Sequence, residues 1–277
     1  MSGQLPRDDA LQALIALMAR LRDPRDGCPW DRAQDFASIA PYTIEEAYEL
    51  AAAIEGSEPQ RIRDELGDLL FQVVFHARLA EERGWFDLAG VARGIHDKLV
   101  RRHPHVFAPR TENADATALS RNWDELKQAE RSERGDAGTL ADVPLALPAL
   151  TRAAKLGRRA ARVGFDWPTP DGARRKLDEE LAELDAAALA AAADPAGLPA
   201  LEDELGDVLF SVVNLARLHG LDAEGALRAA NRKFERRFAA MEQLARKQQL
   251  PLADLDPEAW ERLWQQAKAR LGAATSP

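Results

Sequence analysis

Apolar residues recur at helical spacing along most of the chain. Leu11, Leu14, Ile15, Met18 and Leu21 predict an amphipathic helix near the start. Leu66, Leu69, Leu70, Val73, Val74 and Ala77 predict a second helix with a buried stripe, and Leu205, Val208, Leu209, Val212, Val213 and Ala216 repeat it. Alternating apolar and polar stretches of strand type are not convincing anywhere, while Pro, Gly and Asp gather between the periodic segments. The pattern predicts an all-α protein. The alanine run Ala186 to Ala193 is expected either to extend a helix or to form the loop between two acidic helices.

The helical pattern occurs in duplicate. Asp64 to Leu79 aligns with Asp203 to Leu218 with 12 of 16 residues identical at an offset of 139. Glu45, Glu46 and Glu49 upstream answer Glu179, Glu180 and Glu183, and Lys98, Arg101 and Arg102 downstream answer Lys233, Arg236 and Arg237. Trp123 answers Trp264 further on. Two domain-sized copies indicate a tandem duplication, unlike the many short units of a solenoid. We expect two helical bundles, residues 1–135 and 136–277, joined near Gly135 to Pro148, where Gly, Asp and Pro collect.

A length of 277 residues accommodates two such domains, and 46% apolar with 30% charged residues fits a globular protein. No apolar run approaches the roughly 20 residues needed to cross a bilayer. Asp8 and Asp9 stand where a secretory leader would be apolar, so a cytoplasmic location is expected. The single cysteine, Cys28, can form neither an internal disulfide nor a thiolate zinc cage. A net charge of -9 disfavours a nucleic-acid backbone as a stable partner, since that binding comes from clustered Lys and Arg.

The acidic residues change this picture most. Glu180 and Glu183 share one helix face, as do Glu204 and Asp207. If these helices pack antiparallel, four carboxylates converge and call for a cation, and hard oxygen ligands in that number suit Mg²⁺ or Mn²⁺. Glu46, Glu49, Glu65 and Asp68 stand at the corresponding positions of the first copy. An acidic helix face is most often simply solvated, and Thr43 with Glu46 matches a capping box, which would assign Glu46 to a helix start. The second copy has Leu177 at the capping position and keeps its acidic pair, so capping does not account for the repeat. A ferritin-like di-iron bundle requires Glu-x-x-His, and none of His76, His96, His103, His105 and His219 has Glu three residues before it.

Lys233, Arg236 and Arg237 cluster at i, i+3 and i+4, and such a group beside a cation site suits a polyphosphate. His103 and His105 could also meet phosphate, although a surface role fits them better. Trp264 and Trp123 offer either an aromatic surface for a base or ribose, or core packing.

These residues, together with RDPRDGCPWD at Arg22 to Asp31, APYTIEEAYE at Ala40 to Glu49 and KLVRRHPHVF at Lys98 to Phe107, resemble the MazG family of nucleoside triphosphate pyrophosphohydrolases over nearly the whole chain. The resemblance implies Mg²⁺-dependent hydrolysis of an NTP or dNTP to monophosphate and pyrophosphate, in a homodimer. It implies Glu180, Glu183, Glu204 and Asp207 as metal ligands and catalytic centre, Glu46, Glu49, Glu65 and Asp68 as the equivalent first-copy metal ligands, and Lys176, Lys233, Arg237 and Trp264 on the nucleotide. The copies differ at two positions: Lys176 corresponds to Tyr42, and Asn214, on the stripe of Asp207, corresponds to Phe75. The second copy is therefore the expected catalytic one, with Asn214 and Arg236 among its substrate-binding groups. Water attack at the α-phosphorus is expected, with Glu179 or Glu183 taking the proton. A non-catalytic nucleotide sensor built on the same acidic site is the alternative.

Overall fold

A computed structural model describes residues 7–107 and 138–273 of the chain. The expected boundary at 135/136 and Trp123 lie outside the described residues. The described residues are helical with no strand, as the periodicity predicts, and the chain divides into two compact units. No helix among them is long and apolar enough to cross a membrane.

In the first unit, α1 (Arg7–Leu21) leads through a short turn, α2 (Pro29–Ala33), to α3 (Phe36–Gly56) and α4 (Pro59–Glu82), followed by α5 (Leu88–Arg102) and α6 (Pro104–Phe107). The long pair α3 and α4 packs together, with α1 and α5 against α4. Asp35 starts α3: its side chain accepts from the Ser38 N–H at 2.9 Å while Ser38 Oγ accepts from the Asp35 N–H at 2.9 Å. Thr43 thus lies inside α3 and caps nothing. Its hydroxyl meets His76 Nε2 at 2.9 Å, and the capping explanation for Glu46 falls. Met18, Ile39, Val74, Phe75 and Leu79 form the core, with Leu14 and Leu21 packed on it.

Arg22 ties α1 to α4. Its guanidinium is 8% exposed and donates to Glu82 at 2.7 Å, and Arg78 donates to the same carboxylate at 2.9 Å. Burial pulls the Glu82 carboxyl upward, but the Arg22 and Arg78 bonds outweigh it and hold the group below its ordinary value of 4.5. A depressed carboxylate contributes stability that is complete above the unfolded value and lost as pH falls through the folded one. Glu82→Gln should therefore cost about 2 kcal/mol at neutral pH, between an exposed and a fully buried pair. It should also lessen the acid sensitivity of unfolding below pH 4.5, as read by urea titrations across pH.

The second unit repeats the plan with α7 (Ala149–Ala161), α8 (Pro170–Ala193), α9 (Leu198–Leu218), α10 (Ala223–Lys247) and α11 (Pro257–Ala273). The alanine run extends α8, and a single 3-10 turn, Pro195–Gly197, joins α8 to α9. That short connection makes them antiparallel neighbours, and they form the most extensive pair of the unit. Helices α10 and α11 pack on each other through Ala240, Met241, Ala245, Leu263 and Ala267.

The predicted buried stripe is corrected in both copies. Val74 and Ala77 are buried, but Leu66, Leu70 and Val73 are 50%, 42% and 40% exposed. Leu205, Leu209 and Val212, at the same repeat positions, are 48%, 49% and 44% exposed. The apolar positions of α4 and α9 cover more of the helix circumference than the packed neighbours of each helix shield, so one side enters the core and the other remains open.

Candidate active site

Antiparallel packing of α8 on α9 brings together Glu180, Glu183 and Glu204, each offering a carboxylate oxygen within 4.8 Å of the others. The α3 and α4 pair does the same with Glu46, Glu49 and Glu65. Glu180 is 6% exposed, and its buried carboxylate is met by Lys176 Nζ at 2.8 Å. Lys176 also donates to Glu179 at 2.7 Å, and these two bonds raise its pKa. The lysine thus lies one turn before the triad with its charge secured.

The electrostatics of both triads are those of crowded anions. A hydrogen bond shared with Glu180, then partial loss of hydration and the charges of Glu180 and Glu204, raise the carboxyl of the exposed Glu183 above its usual range, against the opposing pull of Lys176. In the first unit the charge of Glu65 raises Glu49. Burial, then Asp68 and Glu49, raises Glu46. Carboxylates held this close gain from a divalent cation, and the donor set of hard oxygens fits Mg²⁺ or Mn²⁺ chemistry. The three-residue sets are tighter than the expected fourfold convergence. Asp207 is exposed one turn beyond Glu204 and lines a shallow depression with Glu202, Asp203 and Gly206. Asp68 is near enough to act on Glu46.

The cationic residues occupy α10. Lys233 and Arg236 are exposed, and Arg237 stacks its guanidinium 5.9 Å above the Trp264 ring. Trp264 in turn packs on Phe234 at 5.5 Å, so it both joins the α10–α11 core and carries an arginine.

Asn214 lies on the same stripe as Asp207 but is tied elsewhere. Its Oδ1 accepts from Arg217 Nε at 2.9 Å and Nη2 at 2.8 Å, and Arg217 also pairs with Asp166. Asn214 opens onto a half-enclosed pocket of ≈ 560 Å³ whose walls include Phe165, Trp167 and Phe210. Sequence reasoning did not single out Phe165, Asp166, Trp167 or Arg217. The available signal was the GFDW segment, two large aromatics in a turn that has no core position to fill. In the first unit Phe75 replaces Asn214 and is 0% exposed in the core with Met18, while Tyr42 replaces Lys176 and meets Trp30 edge-on at 6.2 Å.

The MazG nucleotide pyrophosphohydrolase domain matches twice, at residues 34–107 and 169–240, and each match spans one acidic triad. The chain is 47% identical over 258 residues to the nucleoside triphosphate pyrophosphohydrolase of Escherichia coli strain K12, covering 93% of this chain and 97% of that protein. It is 42% identical over 258 residues to the nucleoside triphosphate pyrophosphohydrolase/pyrophosphatase MazG of Thermotoga maritima, covering 93% and 95%. The Mycolicibacterium smegmatis nucleoside triphosphate pyrophosphohydrolase is 36% identical over 153 residues, 54% of this chain and 46% of that protein. With two domain matches that each enclose a carboxylate triad, and the Escherichia coli and Thermotoga maritima relatives aligned over nearly their full length, this chain belongs to the MazG nucleotide pyrophosphohydrolase family.

Proposed function

We propose that the second unit hydrolyses nucleoside triphosphates, NTP or dNTP, to the monophosphate and pyrophosphate, with Glu180, Glu183, Glu204 and Asp207 holding Mg²⁺. The observation that carries this reading is the α8–α9 triad with Lys176 bonded into it, inside a domain of the pyrophosphohydrolase family. A divalent cation bound there would neutralise triphosphate oxygens and make a water more acidic. The chain's own groups do the rest. Lys176, Lys233, Arg236 and Arg237 supply positive charge for the remaining phosphate oxygens, and Trp264, under Arg237, supplies an aromatic face for the nucleoside. Glu179, outside the triad and anchored by Lys176, is the carboxylate available to take the proton from water. The water oxygen bonds to the α-phosphorus, the bridge to the β-phosphate breaks, and pyrophosphate leaves with the bonding electrons.

Product analysis tests this directly. Monophosphate and pyrophosphate appearing together, and only with Mg²⁺ or Mn²⁺ present, is the expected result. Diphosphate with phosphate would contradict the bond assignment, and binding without turnover would favour a nucleotide sensor. A cytoplasmic location fits the single cysteine, and the net charge of -9 fits a protein without a stable nucleic-acid partner.

The open rows Leu66, Leu70, Val73 and Leu205, Leu209, Val212 support a homodimer, because apolar side chains 40% to 50% exposed on one helix face gain from a symmetric partner. Light scattering at micromolar concentration should give twice the chain mass, and Leu209→Glu with Val212→Glu should shift it toward the monomer. A monomeric wild-type chain with full activity would refute the dimer.

A further inference from the structure

Among the described residues, each acidic triad is met by a basic side chain one turn before one of its glutamates. In the second unit Lys176 Nζ on α8 reaches Glu180 at 2.8 Å and Glu179 at 2.7 Å, with its side chain 36% exposed. In the first unit Arg61 on α4 donates to Glu65 at 3.4 Å, with its side chain 51% exposed. The two basic residues occupy unrelated repeat positions: Tyr42 stands at the place of Lys176, and Ala200 at the place of Arg61. One copy therefore draws its positive charge from the second helix of the acidic pair and the other from the first. Since the same spacing is reached from opposite helices, the common cause is the triad itself, three carboxylates that repel unless a positive charge stands among them.

The Lys176 pair differs from an ordinary surface ion pair. Glu180 is buried, its Oε1 meets the ammonium, and its carboxylate also shares a hydrogen bond with Glu183. The chain thus satisfies this acid from within. A divalent cation ligated by Glu180 competes for lone pairs that these bonds hold. It also places two positive charges beside the ammonium at a buried carboxylate, where like charges repel more strongly than in open water. Glu179 is 58% exposed and outside the triad, and Lys176 already touches it. The lysine can leave Glu180 by rotation of its own flexible side chain.

We propose that Lys176 serves as the counter-charge of the second triad in the absence of a divalent cation and exchanges with that cation, whose binding to Glu180 releases the ammonium toward Glu179 and the phosphate oxygens of the substrate. The lysine then holds two posts in turn, and arrival of the cation switches it between them. This rests on the cation and triphosphate reading above, and a signal from the lysine itself separates the two.

That signal is the ammonium resonance of Lys176 in the full chain labelled with ¹⁵N-lysine, assigned by its loss in Lys176→Met. Without metal it should be a slowly exchanging, hydrogen-bonded ammonium; saturating Mg²⁺ should shift it and speed its proton exchange, and inorganic tripolyphosphate added with Mg²⁺ should slow the exchange again. Mn²⁺ titration followed by electron paramagnetic resonance gives a second measure. Lys176→Met should tighten the second-unit site, the one that Glu204→Gln weakens, by about 10-fold, the change that loss of one charge-assisted competing bond corresponds to. Lys233→Met removes a like charge from an exposed position on α10 and should change that site by less than about 2-fold in about 0.15 M salt. If Lys176→Met does not fold, Lys176→Arg assigns the resonance and the wild-type response to Mg²⁺ decides. A resonance that saturating Mg²⁺ leaves unmoved, exchange that tripolyphosphate does not slow, a second-unit site no tighter in Lys176→Met, or equal tightening in Lys233→Met overturns the proposal. Full turnover with an unmoved resonance removes the exchange and leaves the hydrolase reading standing, whereas a released lysine and a tightened site without turnover do the reverse.

Discussion

Glu204→Gln should reduce triphosphate turnover by at least about 10³-fold while leaving the fold intact, because loss of charge stabilisation at a reacting phosphoryl group costs on that order. Glu204 is the α9 member of a triad whose other two members stand on α8, so its loss leaves the tight cluster without its α9 carboxylate. The substitution keeps the side-chain volume and opens no cavity. It also removes one of the charges that raise the Glu183 carboxyl, so the unliganded protein should be at least as stable as wild type. Mn²⁺ titration followed by electron paramagnetic resonance should show one cation site weakened and the first-unit site unaffected. Asp207→Asn should act in the same direction, since the adjoining exposed carboxylate is positioned to complete the ligand set once a cation draws it in. Wild-type activity of Glu204→Gln at limiting Mg²⁺ would remove the second triad from consideration as the catalytic centre.

The second large effect separates the copies. Glu183→Gln with Glu204→Gln should eliminate most activity over a panel of NTPs and dNTPs, whereas Glu49→Gln with Glu65→Gln should spare most of it. Both units gather three carboxylates, so cation affinity alone does not distinguish them. The difference lies in what surrounds each triad. Lys176 brings a charged donor to 2.8 Å from Glu180, and its counterpart Tyr42 is turned toward Trp30 and carries no charge. Loss of one well-placed donor typically costs about 10²–10³ in rate. Phe75 adds a steric difference, because it lies in the core of the first unit at the position where the second presents Asn214. The reverse pattern of losses would show that Lys176 and Asn214 do not mark the working copy.

The duplication, the all-α class and the acidic pairs are legible in the residues because each depends on local periodicity. A spacing of three or four on a helix places side chains on one face whatever the helix packs against. The same locality explains what the sequence alone could not decide. The rows Leu66, Leu70, Val73 and Leu205, Leu209, Val212 match the helical period as well as the buried residues do, and only the number of neighbouring helices determines which side of α4 and α9 is covered. Thr43 and Glu46 fit a capping box by spacing, yet Asp35 starts α3 two turns earlier and leaves Thr43 to bond His76. Which carboxylates meet is likewise a tertiary matter: the register of α8 on α9 selects Glu180, Glu183 and Glu204 for the tight cluster and leaves Asp207 at its edge. The pocket of Phe165, Trp167 and Asn214 draws its walls from four separate segments, the stretch at Leu140, α7, the turn after it and α9, so no single stretch of sequence carries its pattern. Local chemistry determined which residues could act, and helix packing decided which of them share a site and which face remains open.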